Sequence, residues 1–386
     1  MADSPRLESN LCWEIAVIQQ CKHGETVCGD QVIVHQDGDR VQLVLSDGLG
    51  SGIQANIAST LTAKLIDGLY RNDFSLADCL RAVEAALPVT KRHNLAYATF
   101  NLVTTVGREI RLVQYDSPQA VFFRDGLSLD YPYKLRTLGE KTLQESVLTM
   151  KSGDMLILFS DGVSEAGRGV TTYAGWERRE MEDYLFRSIQ PDDHASRVAA
   201  SIVSTVQMLD LFEYHDDTSV AVLRLRQRLA VNLLIGPDDA WRPENTLLDR
   251  FFAMEGKYAL CGTGAVQAAA GYLGRPLRVL RQTASGQLPP VSALEGVDLA
   301  VDGELTFREM LGQLERYRQL RMLSLDARQE RDGASMLTDL LAEEASEVNI
   351  LFCAASGSSS RERPEQVLRL RELLTELGKR VSLSFQ

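Results

Sequence analysis

The chain has 386 residues, 45% of them hydrophobic and 24% charged, with a net charge of −12. That balance supplies a globular core, the length fits two domains, and the acidity argues against nucleic acid or an anionic membrane surface as partner. No apolar run reaches the roughly 20 residues of a membrane span, and the polar start MADSPRLESN lacks the basic-then-apolar form of a secretory signal, so a cytoplasmic protein is expected.

Taken in chain order, the first part reads as strands with few helices. Short β-branched or apolar runs predict strands at 14–19, 31–36 and 41–46. Ile53, Ile57, Leu61, Leu65 and Leu69 recur every fourth residue, which predicts a helix over 53–70 with that row as its apolar face. A second helix is expected over 75–87. Strands return at 95–105, then at 110–116 and 119–126 as a hairpin, then at 154–160. ERREMEDYLFRSI and HASRVAASIVSTVQML read as helices, and 218–226 closes the section as a strand. Grouped strands with helices between the groups favour an α+β layered sandwich. Near residue 227 the rhythm changes. From VNLLIG (231–236) onward strands and helices alternate, which predicts a smaller three-layer α/β domain with a mainly parallel sheet over 229–386.

Two strands end alike. VQLVLSDGLGSG (41–52) and DMLILFSDGVSE (154–165) each run from apolar residues into Ser-Asp-Gly. Asp-Gly is a common turn dipeptide, and Asp37-Gly38, Asp125-Gly126 and Asp302-Gly303 fit that plain reading. A strand end, however, holds a carboxylate rigidly, and a neighbouring glycine admits close backbone approach. CGD (28–30) precedes the strand at 31–36, and HDDTS (215–219) leads into the strand at 218–226. Asp30, Asp47, Asp161 and Asp216 thus all sit at predicted strand edges. Gathered together they would raise one another's pKa, and a hard divalent cation with oxygen ligands, Mg²⁺ or Mn²⁺, removes that penalty.

In order and spacing, GD (29–30), SDGLGSG (46–52), FSDGVSE (159–165) and DDTSVAV (216–222) resemble the metal-dependent protein serine/threonine phosphatases, in particular the bacterial branch typified by stage II sporulation protein E. The resemblance covers about residues 10–227 and implies an αββα sandwich there, followed by a C-terminal domain like that of two-domain bacterial relatives. It implies that Asp47 is shared by two Mn²⁺ or Mg²⁺ ions, with the Gly48 carbonyl completing one shell and Asp30 contributing through water. Asp161 and Asp216 would hold the second ion, with Asp217 as the alternative one residue on. It further implies a protein phosphatase whose substrate is a phosphorylated partner-switching regulator. Ser46, Ser51 and Ser160 are expected to be structural hydroxyls. The phosphate-gripping Arg and candidate acid His of the eukaryotic branch have no clear counterpart, and among His23, His35 and His215 the last is the one to test.

The six cysteines are scattered without a CxxC pair, so most are expected to be reduced, buried thiols, and a zinc site is not expected. Cys28, beside GD, reads as a small packing residue. In the second domain, Gly262-Thr263-Gly264 at a helix start offers either an anion cradle or close packing, while Asp302 and Glu304 lie at a strand's C-terminal end, where α/β sheets bind ligands. Gln267 breaks a GxGxxG pattern. A regulatory domain for a small ligand or partner is expected. Two rival readings remain: a catalytically silent phosphoprotein scaffold, and a nucleotide-binding protein centred on the C-terminal domain.

Overall fold

The computed structural model describes residues 7–87, 98–190, 192–238, 241, 243–281, 291–320, 332–353 and 362–386. The chain divides into two compact units, Met1–Gln227 and Arg228–Gln386.

Two antiparallel sheets build the first unit. One runs in the order β1 (Leu11–Gln20), β11 (Thr218–Gln227), β10 (Met155–Phe159), β6 (Val121–Arg124), β7 (Leu127–Leu129). The other runs β2 (Asp30–Asp37), β3 (Arg40–Gly48), β4 (Ala98–Val106), β5 (Glu109–Tyr115), β9 (Lys141–Thr149), β8 (Lys134–Leu138). Alternation along β3 shows how the layers stack. Leu43 and Leu45 face the other sheet, meeting Leu156, Leu158, Ala221 and Leu223 in one core. Val44 faces the opposite way and packs with Ala63 and Ile66 of α1 (Gly52–Arg71) and Leu80 and Val83 of α2 (Leu76–Ala86). A strand covered on both faces reads as a continuous apolar run, as VQLVL does. The five-stranded sheet carries α5 (Ala195–Leu209) over β1 and β11, with α3 (Asp161–Ser164) and α4 (Arg178–Ser188) completing the unit. The architecture is an αββα sandwich.

Two expectations need correction. The row Ile53–Ile57–Leu61–Leu65–Leu69 is not the buried face of α1: Ile53 is 66% and Ile57 45% exposed, while Ala55, Ala58, Ser59, Thr62, Ala63 and Ile66 are buried. A residue turns by about 100° on a helix, so each step of four drifts by about 40° and a long i+4 row winds off its face. The small residues win because the helix lies close on β3. Nor do 110–116 and 119–126 pair as a hairpin. β5 pairs with β4 and β9, while β6 pairs with β10 and β7, so the chain crosses between sheets at Asp116, whose φ is 51°. The strands β7, β8 and β9 went unread, being short or polar. Residues 95–97 of the expected fourth strand lie outside the described residues.

The second unit has one sheet in the order β14 (Arg278–Arg281), β15 (Val291–Ala293), β16 (Leu299–Val301), β13 (Lys257–Cys261), β12 (Ala230–Ile235), β17 (Glu347–Phe352), β18 (Arg380–Phe385). The last five are parallel, and β14 and β15 are antiparallel. Leu234 and Leu260 pack against α6 (Asn245–Phe252) and α7 (Thr263–Leu273). Leu233 and Ile235 pack on the other face, against α8 (Gly303–Leu320), α9 (Gly333–Asp339) and α10 (Glu362–Glu376). That is a three-layer α/β unit with a mostly parallel sheet.

Candidate active site

The acidic residues meet where the ends of the two sheets of the first unit adjoin. Asp30 opens β2 and stands opposite Asp47 near the end of β3. On the other sheet the last residue of β10, Phe159, pairs with Val220, so Asp161 at the start of α3 lies beside Asp216 and Asp217, just ahead of β11. Gln19 of β1 ties the two ends together: its Nε2 donates to the Asp30 carbonyl (3.4 Å) and to Ser219 Oγ (3.2 Å). The glycines beside these aspartates are there for close approach rather than for a positive φ. A Cβ on Gly48 would sit 2.1 Å from the Ala55 carbonyl oxygen, and one on Gly162 would sit 2.2 Å from that of Asp217. A Cβ on Gly29 would lie 2.6 Å from Asp217 Oδ2.

The charges at this junction are poorly met by the protein. Asp30 is 2% exposed, and neither of its carboxylate oxygens has a hydrogen-bond partner. Burial pushes its pKa up, and the nearby Ser219 and Ser160 hydroxyls only soften the effect. Asp217 is 3% exposed; its Oδ1 accepts from the Lys22 amide (3.0 Å), and its Oδ2 has no partner. Asp47 is half-buried within hydrogen-bonding reach of Asp161. Burial raises its pKa, and the charges of Asp30, Asp161 and Asp216 raise it further. Asp216 is also raised, chiefly by burial. One cation stands close, Lys22, with Nζ 4.0 Å from Asp216 Oδ1. The carboxylates line a gap rather than close on a point: among the described residues, no three of them bring an oxygen within 4.8 Å of the other two. Desolvated carboxylates short of donors are the environment that a hard cation stabilises.

The remaining candidates are placed as follows. Ser46 Oγ donates to the Thr99 carbonyl (2.8 Å), Ser51 Oγ to Glu25 Oε1 (3.3 Å), and Ser160 Oγ accepts from the Ser219 amide (2.9 Å), so each serves the local structure. His215 is half-exposed, with Nδ1 3.4 Å from Asp210 Oδ1. His35 pairs instead with Asp67 of α1 (2.9 Å). Sequence reasoning missed Lys22 and Cys21, which lie in the loop joining β1 to β2 and carry no motif. Most of the cysteines are buried, as expected. Cys12, Cys79, Cys261 and Cys353 are buried, but Cys21 and Cys28 are half-buried and stand next to Asp217.

Gly262, Thr263, Gly264, Asp302 and Glu304 lie in the second unit. Gly262 has φ 111°, its amide donates to Val301, and the Gly264 amide donates to Pro237 (2.9 Å), so those two N–H groups are already used. A Cβ on Gly262 would sit 2.4 Å from the Gly236 carbonyl oxygen, which favours the packing account of this turn. Asp302 follows β16, with a buried, unpartnered Oδ1 and a pKa raised by burial and by Asp238. Glu304 pairs with Arg308 (2.9 Å).

Residues 37–226 match the family described as stage II sporulation protein E, SpoIIE. Stage II sporulation protein E of Bacillus subtilis (strain 168) is 22% identical over 210 residues, which is 53% of this chain and 24% of that protein. Phosphoserine phosphatase RsbU of the same organism is 24% identical over 214 residues, 51% of this chain and 59% of that one. Among solved structures, the PP2C phosphatase domain and a fragment of the regulatory domain of SpoIIE from Bacillus subtilis aligns with TM-score 0.47 at 19% identity, covering 56% of this chain and 63% of that chain. The chain therefore spans between about a quarter and three fifths of the length of these curated relatives.

Proposed function

We propose, from the match of residues 37–226 to the stage II sporulation protein E family, that the chain is a metal-dependent protein phosphatase acting on phosphoserine or phosphothreonine. The observation that carries the proposal is the junction of buried carboxylates, above all Asp30 with both oxygens unpartnered and Asp217 with one. Such a set is costly alone and suits oxygen-preferring divalent ions. Asp30, Asp47, the Gly48 carbonyl, Asp161, Asp216 and Asp217 would hold two ions, Mn²⁺ or Mg²⁺. Bound there, such ions lower the pKa of water to near neutrality and offset charge on phosphoryl oxygens.

The protein's own residues supply the rest. Paired strands fix Asp30 opposite Asp47, and α3 fixes Asp161. No thiol or hydroxyl is required to attack phosphorus, so the serines here keep structural roles. The Lys22 ammonium, half-exposed beside Asp216, attracts the incoming phosphoryl group, which the neighbouring carboxylates repel. The substrate is a phosphorylated partner-switching regulator, a reading supported by the relative named a phosphoserine phosphatase. The second unit regulates, through a small ligand or a partner. A cytoplasmic setting fits, since among the described residues no helix is long and apolar enough to cross a membrane. The test is hydrolysis of an aryl phosphate with Mn²⁺. Asp47→Asn and Asp161→Asn should each lower turnover at least 100-fold, about 2.7 kcal/mol of barrier, with unchanged circular dichroism. Undiminished turnover in both variants, or none in the parent, removes the proposal; the second outcome favours a silent scaffold.

A further inference from the structure

Beside the acidic junction lies a second donor set of different chemistry. Cys21 Sγ, Cys28 Sγ and a carboxylate oxygen of Asp217 lie within 4.8 Å of one another, and among the described residues theirs is the only His, Cys, Asp or Glu group of three or more that does so. We infer that these three residues form a site for a thiophilic divalent cation, Zn²⁺, that shares Asp217 with the carboxylate cluster.

Three observations converge on it. First, the donors come from three separate places: Cys21 follows β1, Cys28 stands two residues before β2, and Asp217 precedes β11. Their convergence is a product of the fold, which is why the six-residue gap between the cysteines carries no zinc signature in the sequence. Second, Asp217 has an oxygen to spare beside them. Its Oδ1 is held by the Lys22 amide (3.0 Å), leaving Oδ2 buried with no partner. A ligand carboxylate with one oxygen fixed by an outer hydrogen bond is the usual arrangement at metal sites. Third, the loop is braced before any ion arrives. The His23 amide donates to the Tyr214 carbonyl (2.8 Å), the Glu25 amide to the Lys22 carbonyl (3.0 Å), and Asn56 Nδ2 of α1 to the Cys28 carbonyl (2.8 Å). Cys28 Sγ reaches back toward the Gln20 carbonyl (3.7 Å). Gly29 keeps clear the space against Asp217 Oδ2 that a side chain would fill.

The chemistry discriminates between the two sites. Zn–S bonds of about 2.3 Å and Zn–O bonds of about 2.1 Å place tetrahedral ligands roughly 3.5–3.8 Å apart, which the present separations, all within 4.8 Å, allow, with a water as fourth ligand. Thiolates favour Zn²⁺ and Co²⁺ and are poor ligands for Mg²⁺, which stays with the oxygen cluster. One Asp217 cannot serve both ions unchanged, so Zn²⁺ should inhibit. That consequence rests on the phosphatase reading; the binding itself does not.

The test uses the full chain, reduced and stripped of metal, in excess Mg²⁺. One equivalent of Co²⁺ should produce a near-ultraviolet thiolate-to-metal charge-transfer band, and Zn²⁺ should abolish it. Competition with a chromogenic chelator should show Zn²⁺ affinity falling at least tenfold in Cys21→Ser and in Cys28→Ser. Asp47→Asn and Cys79→Ser should keep both the band and the affinity. Cys21 is half-buried at a loop start, so Cys21→Ser carries the test should Cys28→Ser fail to fold. A Co²⁺ complex without the thiolate band, or Zn²⁺ affinity that follows Asp47→Asn and not the cysteines, overturns the assignment.

Discussion

Stripping divalent cations from the first unit should make its stability fall as pH rises, and the share due to Asp30 can be worked out, Asp47 being raised further still, to about 10. The Asp30 carboxyl is pushed from 3.8 up to about 7, mainly by burial. A carboxyl whose folded pKa is above its unfolded value binds more protons folded than unfolded across the window between them. Stability is therefore lost as pH climbs from about 4 to about 7. Each unit of pKa is worth about 1.4 kcal/mol, so the three-unit rise of Asp30 corresponds to about 4 kcal/mol, of which neighbouring carboxylates share part. A loss of about 2–4 kcal/mol in a unit of this size lowers its melting temperature by roughly 5–15 °C. Melting the chain in chelator at pH 5, 6, 7 and 8, and again in millimolar Mn²⁺, measures it. Mn²⁺ should flatten the profile, by about 2.7 kcal/mol for a cation at 100 times its Kd. Asp30→Asn removes that ionising group and should make the chelator profile shallower between pH 5 and 7, the rest of the slope staying with Asp47 and Asp216. A flat profile for the parent in chelator, or an equal slope in Asp30→Asn, refutes the reasoning.

Lys22→Ala should raise KM for a phosphopeptide about tenfold, near 1.4 kcal/mol, with a smaller change in kcat; steady-state kinetics at saturating Mn²⁺ decides, and a pure kcat loss counts against a phosphate-attracting role. Gly48→Ala should destabilise by about 2–3 kcal/mol, because its Cβ would lie 2.1 Å from a backbone oxygen of α1 that has no room to retreat; denaturant titration reads it. On α1 itself, Ile66→Ala should cost about 2–4 kcal/mol, and Ile53→Ala should stay within about 0.5 kcal/mol, because Ile66 is fully buried and Ile53 is 66% exposed. Comparable losses in the two would put the helix on the wrong face.

Much of the site could be read from the chain because it rests on local grammar. An apolar run closing on Asp-Gly marks a carboxylate at a strand end, and Asp47 and Asp161 lie where that grammar puts them. The sandwich was legible for a related reason: strands buried on both faces announce themselves as unbroken apolar runs. What stayed hidden depends on distance. The i+4 row on α1 misled because its large residues, Ile53 and Ile57, face outward while alanines make the close contact with β3. Sequence neighbours 110–116 and 119–126 suggested a hairpin, yet the chain changes sheet between them, a choice made by partners far along the chain. Cys21 and Lys22 acquire meaning only once β1 and β11 are paired and their loop is laid against Asp217.

That pairing has a bearing on how the protein is made. Among the described residues β1 finds its only sheet neighbour in β11, with Leu11 opposite Gln227. At about 5–20 residues per second on a ribosome, the partner strand emerges roughly 10–40 s after the first one. Throughout that interval β2, β3 and the strands beyond can zip up among themselves, while LCWEIAVIQQ waits as an unsatisfied apolar edge. A chain interrupted anywhere before residue 218 would keep that edge bare, which makes early termination products of this protein natural clients for chaperones and proteases.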